Sequence, residues 1–198
     1  MSELVPGSNS DYFEALCEAM QMLASAGAIF MGQGVGVKGT TMSDTLDGIP
    51  DSQRLEMPVA EDMQMGMAIG MALEGYLPVC IFPRWNFLLL AANQLINHLD
   101  RLPLYSDYGY RPKVLIRTAI PSKEPFNPGP QHDDDFTQAF ILMGRTIPFV
   151  KLNTAGAILP IYTTALRSSN SHVLVEYTEY YKDARSNDNI NGRTRYSS

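Results

Sequence analysis

Glu61 is a carboxylate at the start of an unusually apolar stretch of sequence. From Met63 to Leu73 the only polar side chain is Gln64. This pattern predicts a helix without a solvent-facing side, which belongs in a core or in a subunit interface. Gly66 and Gly70 are spaced four apart, so they would lie on one face and let another backbone approach closely. A carboxyl group at the edge of such dry surroundings tends to keep its proton near neutral pH. Glu61 is therefore a candidate for acid–base chemistry.

Two further polar groups could carry chemistry, and each has a plainer interpretation. His132 closes the segment Gly129-Pro-Gln-His132, between a proline-rich loop and a predicted helix, and could shuttle a proton. A lone histidine in such a place is more often a cap or a surface residue. The acids 133–135 could suggest a metal, but adjacent residues on a helix point in different directions. We favour a solvated first turn, where acids complement the helix dipole, and Glu61 alone would allow the same interpretation.

A glycine cluster also resembles a nucleotide-binding motif. Gly34-x-Gly36-x-x-Gly39 matches the pattern GxGxxG and follows a predicted strand. The dinucleotide fingerprint requires a helix that opens on the third glycine, whereas residues 40–50 show no amphipathic period. We therefore favour a flexible surface loop over a cofactor site here.

Composition limits the classes of protein that fit. The chain has 198 residues, a hydrophobic content of 45% and a net charge of −6, which suits one sizeable α/β domain without a nucleic-acid or anionic-membrane partner. The longest apolar runs are too short to span a bilayer. Cys17 and Cys80 lie far apart without a CxxC motif, so we expect reduced thiols in the cytoplasm. We expect a flexible leader over 1–10, a domain over 11–181 and a polar tail over 182–198.

The elements that must position these residues alternate along the chain. We expect strands at 28–31, 55–59, 77–82, 113–117, 148–152 and 172–176, and helices at 11–25, near 61–73, and at 86–98, 133–143 and 154–167. Continuously apolar strands that alternate with helices indicate a mostly parallel sheet in a three-layer α/β/α arrangement. Ligands gather at the carboxyl ends of such strands. The segment entering Glu61, the turn 83–86 and the loop after Arg117 are all predicted to lie there.

Several motifs in collinear order give the chain a specific resemblance. Pro58-Val-Ala-Glu61 is followed by a Gly/Ala series to Gly75 and by Leu77-Pro-Val. The series continues with the following segments: Trp85-Asn-Phe87, Asn93-Gln-Leu-Ile-Asn97, Val114-Leu-Ile-Arg117, Gly129-Pro-Gln-His132 and Val173-Leu-Val-Glu176. Over about residues 12–180 the chain resembles the beta subunit of the 2-oxo-acid (pyruvate, branched-chain, acetoin) dehydrogenase complexes. Its core is similar to the pyrimidine-binding domain of transketolase-like thiamine diphosphate enzymes.

The resemblance implies a role for each matching residue. Glu61 matches the carboxylate that hydrogen-bonds the aminopyrimidine ring of thiamine diphosphate and so activates the cofactor for decarboxylation of a 2-oxo acid. Phe87 matches the aromatic ring that stacks on the pyrimidine, and Val59 a residue whose backbone lies against it. His132 matches an active-site histidine that contacts substrate. Arg84 could meet a substrate carboxylate.

The resemblance also implies a partner. The chain has no Gly-Asp-Gly…Asn series for Mg²⁺ and diphosphate, so we expect an alpha-like subunit to hold that half of the cofactor, in a heterotetramer active on a 2-oxo acid or a ketose. No metal ligand is expected in this chain. Beta subunits of that family normally continue into a C-terminal domain, and we expect this chain to stop before it. Two alternatives therefore stay open: the small subunit of a transketolase-like ketol or aldehyde transferase, and a noncatalytic assembly subunit.

Overall fold

Six parallel strands form one sheet in the computed structural model, which describes residues 9–39, 42–122 and 129–181. The strands are β1 (Ala28–Gly32), β2 (Arg54–Glu56), β3 (Leu77–Phe82), β4 (Leu115–Ile120), β5 (Phe149–Lys151) and β6 (His172–Tyr177). Their order across the sheet is β2-β1-β3-β4-β6-β5, and every neighbouring pair is parallel. The predicted tail and most of the predicted leader lie outside the described residues.

Helices cover both faces of this sheet. They are α1 (Asn9–Ser25), α2 (Glu61–Leu73), α3 (Trp85–Leu90), α4 (Leu102–Tyr105), α5 (Thr137–Met143) and α6 (Ala155–Arg167), with a π-helix at Gln94–Leu99 and 3₁₀ turns at Ser43–Leu46, Asp51–Gln53 and Thr178–Tyr181. Helices α1 and α6 pack on one face, whereas α2, α3, the π-helix and α5 pack on the other. The predicted three-layer α/β/α fold is confirmed.

The apolar strands explain why two separate cores form. In β3, Val79 and Ile81 enter the core under α1 and α6, whereas Cys80 and Phe82 enter the core under α2 and α3. Successive side chains of a strand point to opposite faces, so a strand that is covered on both faces must be apolar throughout. Burial raises the pKa of Cys80 to about 12 and that of Cys17 to about 11, and both thiols are free.

The prediction of one continuous helix at 86–98 is wrong. Helix α3 ends at Leu90 and a π-helix follows from Gln94. The amide of Asp100 bonds to the carbonyl of Leu95, which is the five-residue spacing of a π-helix. The carboxylate of Asp100 is fully buried there and accepts backbone N–H bonds from residues 145–147 at 2.7 to 3.0 Å. The end of this helical region thus fixes the turn before β5.

The predicted helix at 133–143 begins later than expected. It starts at Thr137, so the acids 133–135 precede the helix instead of forming its first turn. Asp135 accepts hydrogen bonds from the amide and the hydroxyl of Thr137. Short acidic side chains compete in this way with helical backbone bonds. Strand β4 begins and ends later than predicted, at Leu115 and Ile120, so Arg117 lies within the strand instead of at its end.

In the single chain α2 is covered on one side only, so of the two predicted alternatives, a core or a subunit interface, its own core accounts for part of the helix and the interface stays a prediction. Gln64, Met65 and Ala68 are buried, but Met63 and Met67 are more than 40% exposed. Gly66 and Gly70 are also exposed. A strip of apolar surface therefore runs along the outside of α2. Among the described residues, no helix is both long enough and apolar enough to cross a membrane.

Gly32 marks the closest approach of β1 to β3, and its replacement should be destabilising. A Cβ at Gly32 would lie 2.5 Å from the carbonyl oxygen of Ile81, its partner in the sheet register. Because backbone must move to relieve that clash, Gly32→Ala should lower the free energy of unfolding by about 1–3 kcal/mol. Urea denaturation measures this change.

Gly70→Ala is the matched control for that measurement. A Cβ at Gly70 meets nothing within 4 Å, so alanine should raise the free energy of unfolding by about 0.5–1 kcal/mol through its better helix propensity. Equal effects of the two substitutions would contradict the close approach at Gly32.

Candidate active site

A small cavity lies at the carboxyl ends of β1 and β3, where parallel sheets hold their ligands. Its volume is about 220 Å³. The lining residues come from the ends of both strands, from the segment that enters α2 and from the first turn of α3: Gln33, Pro58, Val59, Glu61, Gln64, Ile81, Phe82, Pro83 and Phe87. Three residues singled out from the sequence, Val59, Glu61 and Phe87, therefore meet in one place.

The segment between β2 and α2 presents Val59 and Glu61 to this cavity. The amide of Met57 bonds to the carbonyl of Gly32 at 3.0 Å, which fixes the segment to the end of β1. A tight turn follows, since the amide of Ala60 bonds to the carbonyl of Pro58 at 2.8 Å. Val59 is left 68% exposed by this turn. Its backbone is therefore accessible to a ligand.

Glu61 begins α2 and is half-buried at the cavity wall. Its carboxyl group forms no hydrogen bond or ion pair with any of the described residues. A carboxyl group without an internal partner can serve a ligand. The dry surroundings predicted for Glu61 are incomplete in the single chain, because the neighbouring surface of α2 is exposed.

Gln64 forms the floor of the cavity. Its side-chain amide is buried and donates to the carbonyl of Met31 at 3.3 Å and to that of Ile81 at 3.2 Å. These bonds join the end of β1 to the end of β3 and hold α2 against both strands. The only polar side chain in the apolar part of α2 therefore satisfies backbone groups that would otherwise be buried without partners.

Phe87 brings His132 and Arg84 to the same site. The ring centroids of Phe87 and His132 are 5.6 Å apart at an angle of 56°. The guanidinium carbon of Arg84 lies 5.9 Å from the Phe87 centroid, which is the outer range of a cation–π contact. Arg84 makes no ion pair within the described part of the chain. One aromatic ring thus has an imidazole and an unpaired cation beside it.

The glycine cluster uses its amides inside the chain. The amides of Gly34 and Gly36 donate to the two carboxylate oxygens of Glu56 at 2.6 and 2.7 Å. The amide of Gly39 donates to Asp44 at 2.7 Å. The region 33–39 forms turns, and the next described helical turn starts only at Ser43. Amides that would bind a phosphate are therefore occupied by the chain's own carboxylates.

The cavity suits one flat, hydrogen-bonding ring. Phe87 offers an aromatic face, Glu61 a carboxyl group without a partner, and the turn at Val59 an accessible backbone. The cavity is partly open to solvent, so a ligand held by these groups can extend beyond it. Within the described ranges, no cluster of three or more His, Cys, Asp or Glu side chains could hold a metal ion.

Sequence reasoning missed two residues that support this site. Asn86 stood in the motif Trp85-Asn-Phe87 without an assigned role, yet its amide donates to Asp134 at 3.2 Å. Gln33 follows β1 and lines the cavity. A polar residue between two aromatics at the start of a helix was the available signal for Asn86. No sequence signal marked Gln33.

Known proteins similar in sequence are pyruvate dehydrogenase beta subunits, although no family model matches the chain. The pyruvate dehydrogenase E1 component subunit beta of Gracilaria tenuistipitata var. liui is 30% identical over 186 residues, which are 89% of this chain and 56% of that protein. The beta-3, chloroplastic subunit of Arabidopsis thaliana is 29% identical over 184 residues, which are 89% of this chain and 44% of that protein. The chain spans about half the length of these relatives.

Solved structures share the fold at lower identity. A split gene transketolase, described as an inactive beta4 tetramer, matches 85% of this chain and 50% of its own with a TM-score of 0.62 and 15% identity. A putative thiamin diphosphate-dependent enzyme from Mycobacterium smegmatis matches 88% of this chain and 31% of its own with a TM-score of 0.57 and 12% identity. The resemblance inferred from the ordered motifs is thereby confirmed.

Proposed function

Because this chain is related to pyruvate dehydrogenase E1 beta subunits over about half of their length, we propose that it is the pyrimidine-binding, beta-like subunit of a split thiamine diphosphate enzyme. The observation that carries the proposal is the convergence of Val59, Glu61 and Phe87 on one cavity. The order of motifs in the sequence alone predicts cofactor-binding roles for the same three residues. The reaction proposed is decarboxylation of a 2-oxo acid with transfer of the acyl group.

The chemistry divides between the cofactor and this chain. Thiamine diphosphate, when bound, supplies a nucleophilic carbon and an electron sink for substrates that contain a carbonyl group. Glu61 would hold a proton at the aminopyrimidine ring of a bound cofactor and so favour its activation. Phe87 would offer its face to that ring, and the backbone at Val59 would lie against it. His132 moves a proton at the substrate side, since its ring lies against Phe87.

The other half of the cofactor needs a partner. We propose that an alpha-like subunit holds Mg²⁺ and the diphosphate, because the described residues contain no metal-binding cluster and the cavity is partly open, so that a bound ring can continue towards a partner. The proposed contact is the exposed apolar strip of α2, defined by Met63, Gly66, Met67, Gly70 and Leu73. This strip starts two residues after Glu61, so a subunit bound there would complete the dry surroundings of the carboxyl group. A heterotetramer is the proposed assembly.

Gly70→Leu should weaken association with the alpha-like subunit. A side chain at Gly70 has open space in the single chain, so the fold should persist while the close approach of a partner backbone is blocked. We expect at least about a tenfold rise in the dissociation constant, equivalent to about 1.4 kcal/mol. Analytical ultracentrifugation of the two mixed chains measures it.

Gly156→Leu is the matched control, since Gly156 is an exposed glycine of α6, on the opposite face of the sheet, with equally open space. Equal weakening by both substitutions would contradict α2 as the contact. Self-association of the chain without a partner would indicate a second copy as the occupant, the arrangement suggested by the beta4 tetramer of the split transketolase.

Reconstitution tests the function directly. The chain is mixed with an alpha-like subunit from the same organism, Mg²⁺ and thiamine diphosphate, and assayed for CO₂ release from pyruvate and branched 2-oxo acids and for ketol transfer from a ketose. We expect turnover only when both chains and the cofactor are present. Full turnover by the alpha-like subunit alone would overturn the proposal in favour of a noncatalytic assembly subunit, and ketol transfer alone would identify a transketolase-like transferase.

The compartment stays a prediction. The free, protonated thiols of Cys17 and Cys80 agree with a reducing compartment such as the cytoplasm. The names of the plant relatives place those proteins in chloroplasts. Fractionation of the source cells decides between these compartments.

A further inference from the structure

The segment that carries His132 crosses the start of α3 before it enters α5. Gly129 has a φ of +79° and begins a turn. Its carbonyl accepts a hydrogen bond from the amide of His132 at 3.0 Å. The next residues, 133–135, precede the helix instead of belonging to it. Regular helical hydrogen bonds therefore do not fix this part of the backbone, and side-chain contacts must hold it in place.

Two acidic side chains make such contacts. Asp134 accepts a hydrogen bond from the amide of Asn86 at 3.2 Å. Asp135 pairs with Lys151 at the end of β5. Asn86 is itself well anchored, because the preceding Trp85 is completely buried and its ring centroid lies 5.1 Å from that of Phe140. The Asn86–Asp134 bond therefore joins a fixed helix to a point two residues from His132.

The imidazole of His132 depends on this anchor for its orientation. Its Nδ1 atom is buried and has no hydrogen-bond partner, so no bond at that nitrogen sets the ring angle. What remains is the contact with Phe87 at 5.6 Å between centroids. Phe87 follows Asn86 directly, and His132 lies two residues before Asp134. The Asn86–Asp134 bond thus joins the backbone beside Phe87 to the backbone beside His132, and so holds the two rings close together.

We propose that Asn86 and Asp134 are positioning residues that hold His132 against Phe87. Neither residue touches the cavity, so neither is catalytic in this assignment. Their bond restricts the segment 129–136, and this restriction sets the distance from the imidazole to the ring beside which the reaction occurs. The catalytic consequence rests on the proposed function, whereas the placement of the two rings does not.

Nuclear magnetic resonance of the full chain tests the placement without any cofactor. The chain has three histidines, and His132→Gln identifies the resonances of His132. The ring current of Phe87 should displace the chemical shifts of the His132 ring protons, and Phe87→Leu should remove this displacement. Asn86→Ala and Asp134→Ala should each move the resonances towards the position of an exposed histidine.

An exchanged pair provides the matched control. In the double variant Asn86→Asp with Asp134→Asn, an amide still faces a carboxylate and the net charge is unchanged, so the displacement should return. Unmoved His132 resonances in Asp134→Ala, or no recovery in the exchanged pair, would overturn the proposal. The dispersion of the other resonances shows directly whether each variant is folded.

Turnover of the reconstituted enzyme tests the consequence. Asp134→Ala should lower kcat by about 10- to 100-fold, because small displacements of a catalytic group have effects of this size. It should also alter the pH profile of kcat and leave the half-saturating concentration of thiamine diphosphate unchanged, and the exchanged pair should recover most of the loss. Unchanged kcat in Asp134→Ala would overturn the catalytic consequence. A wild-type mixture without turnover would refute the proposed function, while the resonance measurement still decides the placement.

Discussion

Glu61→Gln is expected to lower kcat of the reconstituted enzyme by about 100- to 10,000-fold, the usual range for loss of a positioned proton-transfer group. Glutamine preserves the shape of the side chain but cannot hold or release the proton that activates the ring. Glu61 is half-buried and has no internal partner. The free energy of unfolding should therefore change by no more than about 0.5 kcal/mol. Steady-state turnover and urea denaturation of the same preparations measure both quantities.

Asp62→Asn separates this role from a helix-dipole effect. Asp62 is the next acid in the first turn of α2 and is exposed. Its carboxylate accepts a hydrogen bond from the amide of Met63 at 2.8 Å. It does not line the cavity. If negative charge at the start of α2 were the only requirement, both variants would lose activity to the same extent. We expect Asp62→Asn to retain it. Unchanged turnover in Glu61→Gln would refute the assignment of Glu61.

Arg117→Met is expected to be the most destabilising single substitution considered. Arg117 and Glu176 are completely buried and form a two-point ion pair, with nitrogen–oxygen distances of 2.6 and 3.0 Å. They lie on neighbouring strands β4 and β6, on the face covered by α1 and α6. Removing the guanidinium leaves the carboxylate of Glu176 buried without its counter-charge. The expected loss in the free energy of unfolding is about 3–5 kcal/mol.

Neighbouring hydroxyls make Glu176 the centre of a larger network. Tyr162 donates to its Oε1 at 3.0 Å, and Tyr181 donates to its Oε2. Burial, reinforced by the charge of Glu176, raises the pKa of both tyrosines well above the ordinary value. The hydroxyls therefore remain protonated donors at physiological pH. They satisfy oxygens of Glu176 but do not replace the positive charge of Arg117.

A double variant and a surface pair complete that experiment. Arg117→Met combined with Glu176→Leu removes both charges and should recover part of the loss, because no unpaired buried charge remains. The Lys38–Asp47 pair is largely exposed, so Lys38→Met should leave the urea midpoint almost unchanged. An equally small effect of Arg117→Met would show that the buried pair contributes little.

The sheet and the cavity were predictable because their signals are local and redundant. Short apolar runs such as 77–82 and 173–175 are typical of covered strands, and the sequence order of the strands and helices favours parallel pairing. Glu61 and Phe87 follow strands, so their meeting at one edge of the sheet was expected. The structure places β3 at Leu77–Phe82, as predicted.

Other features depended on contacts between distant residues. The start of α5 moved to Thr137 because Asp134 and Asp135 bond to Asn86 and Lys151, which are 48 and 16 residues away. Asp100 similarly accepts hydrogen bonds from the backbone amides of residues 145–147, which lie 45 to 47 positions later in the sequence. The sequence left open whether α2 lies in a core or in a subunit interface, for a different reason. An all-apolar helix indicates that its surface must be buried. The sequence does not indicate whether the same chain or a partner covers that surface.

One helix, α2, carries both Glu61 in its first turn and the apolar strip along its length, and this arrangement has a thermodynamic consequence under the proposed function. If assembly raises the affinity for thiamine diphosphate by some factor, the cofactor must raise the affinity between subunits by the same factor, because the two equilibria form a closed cycle. The supply of the vitamin would then set how much of the chain is assembled. A cell short of thiamine would accumulate separated subunits with exposed apolar strips. Thiamine shortage would therefore lower the solubility of this chain.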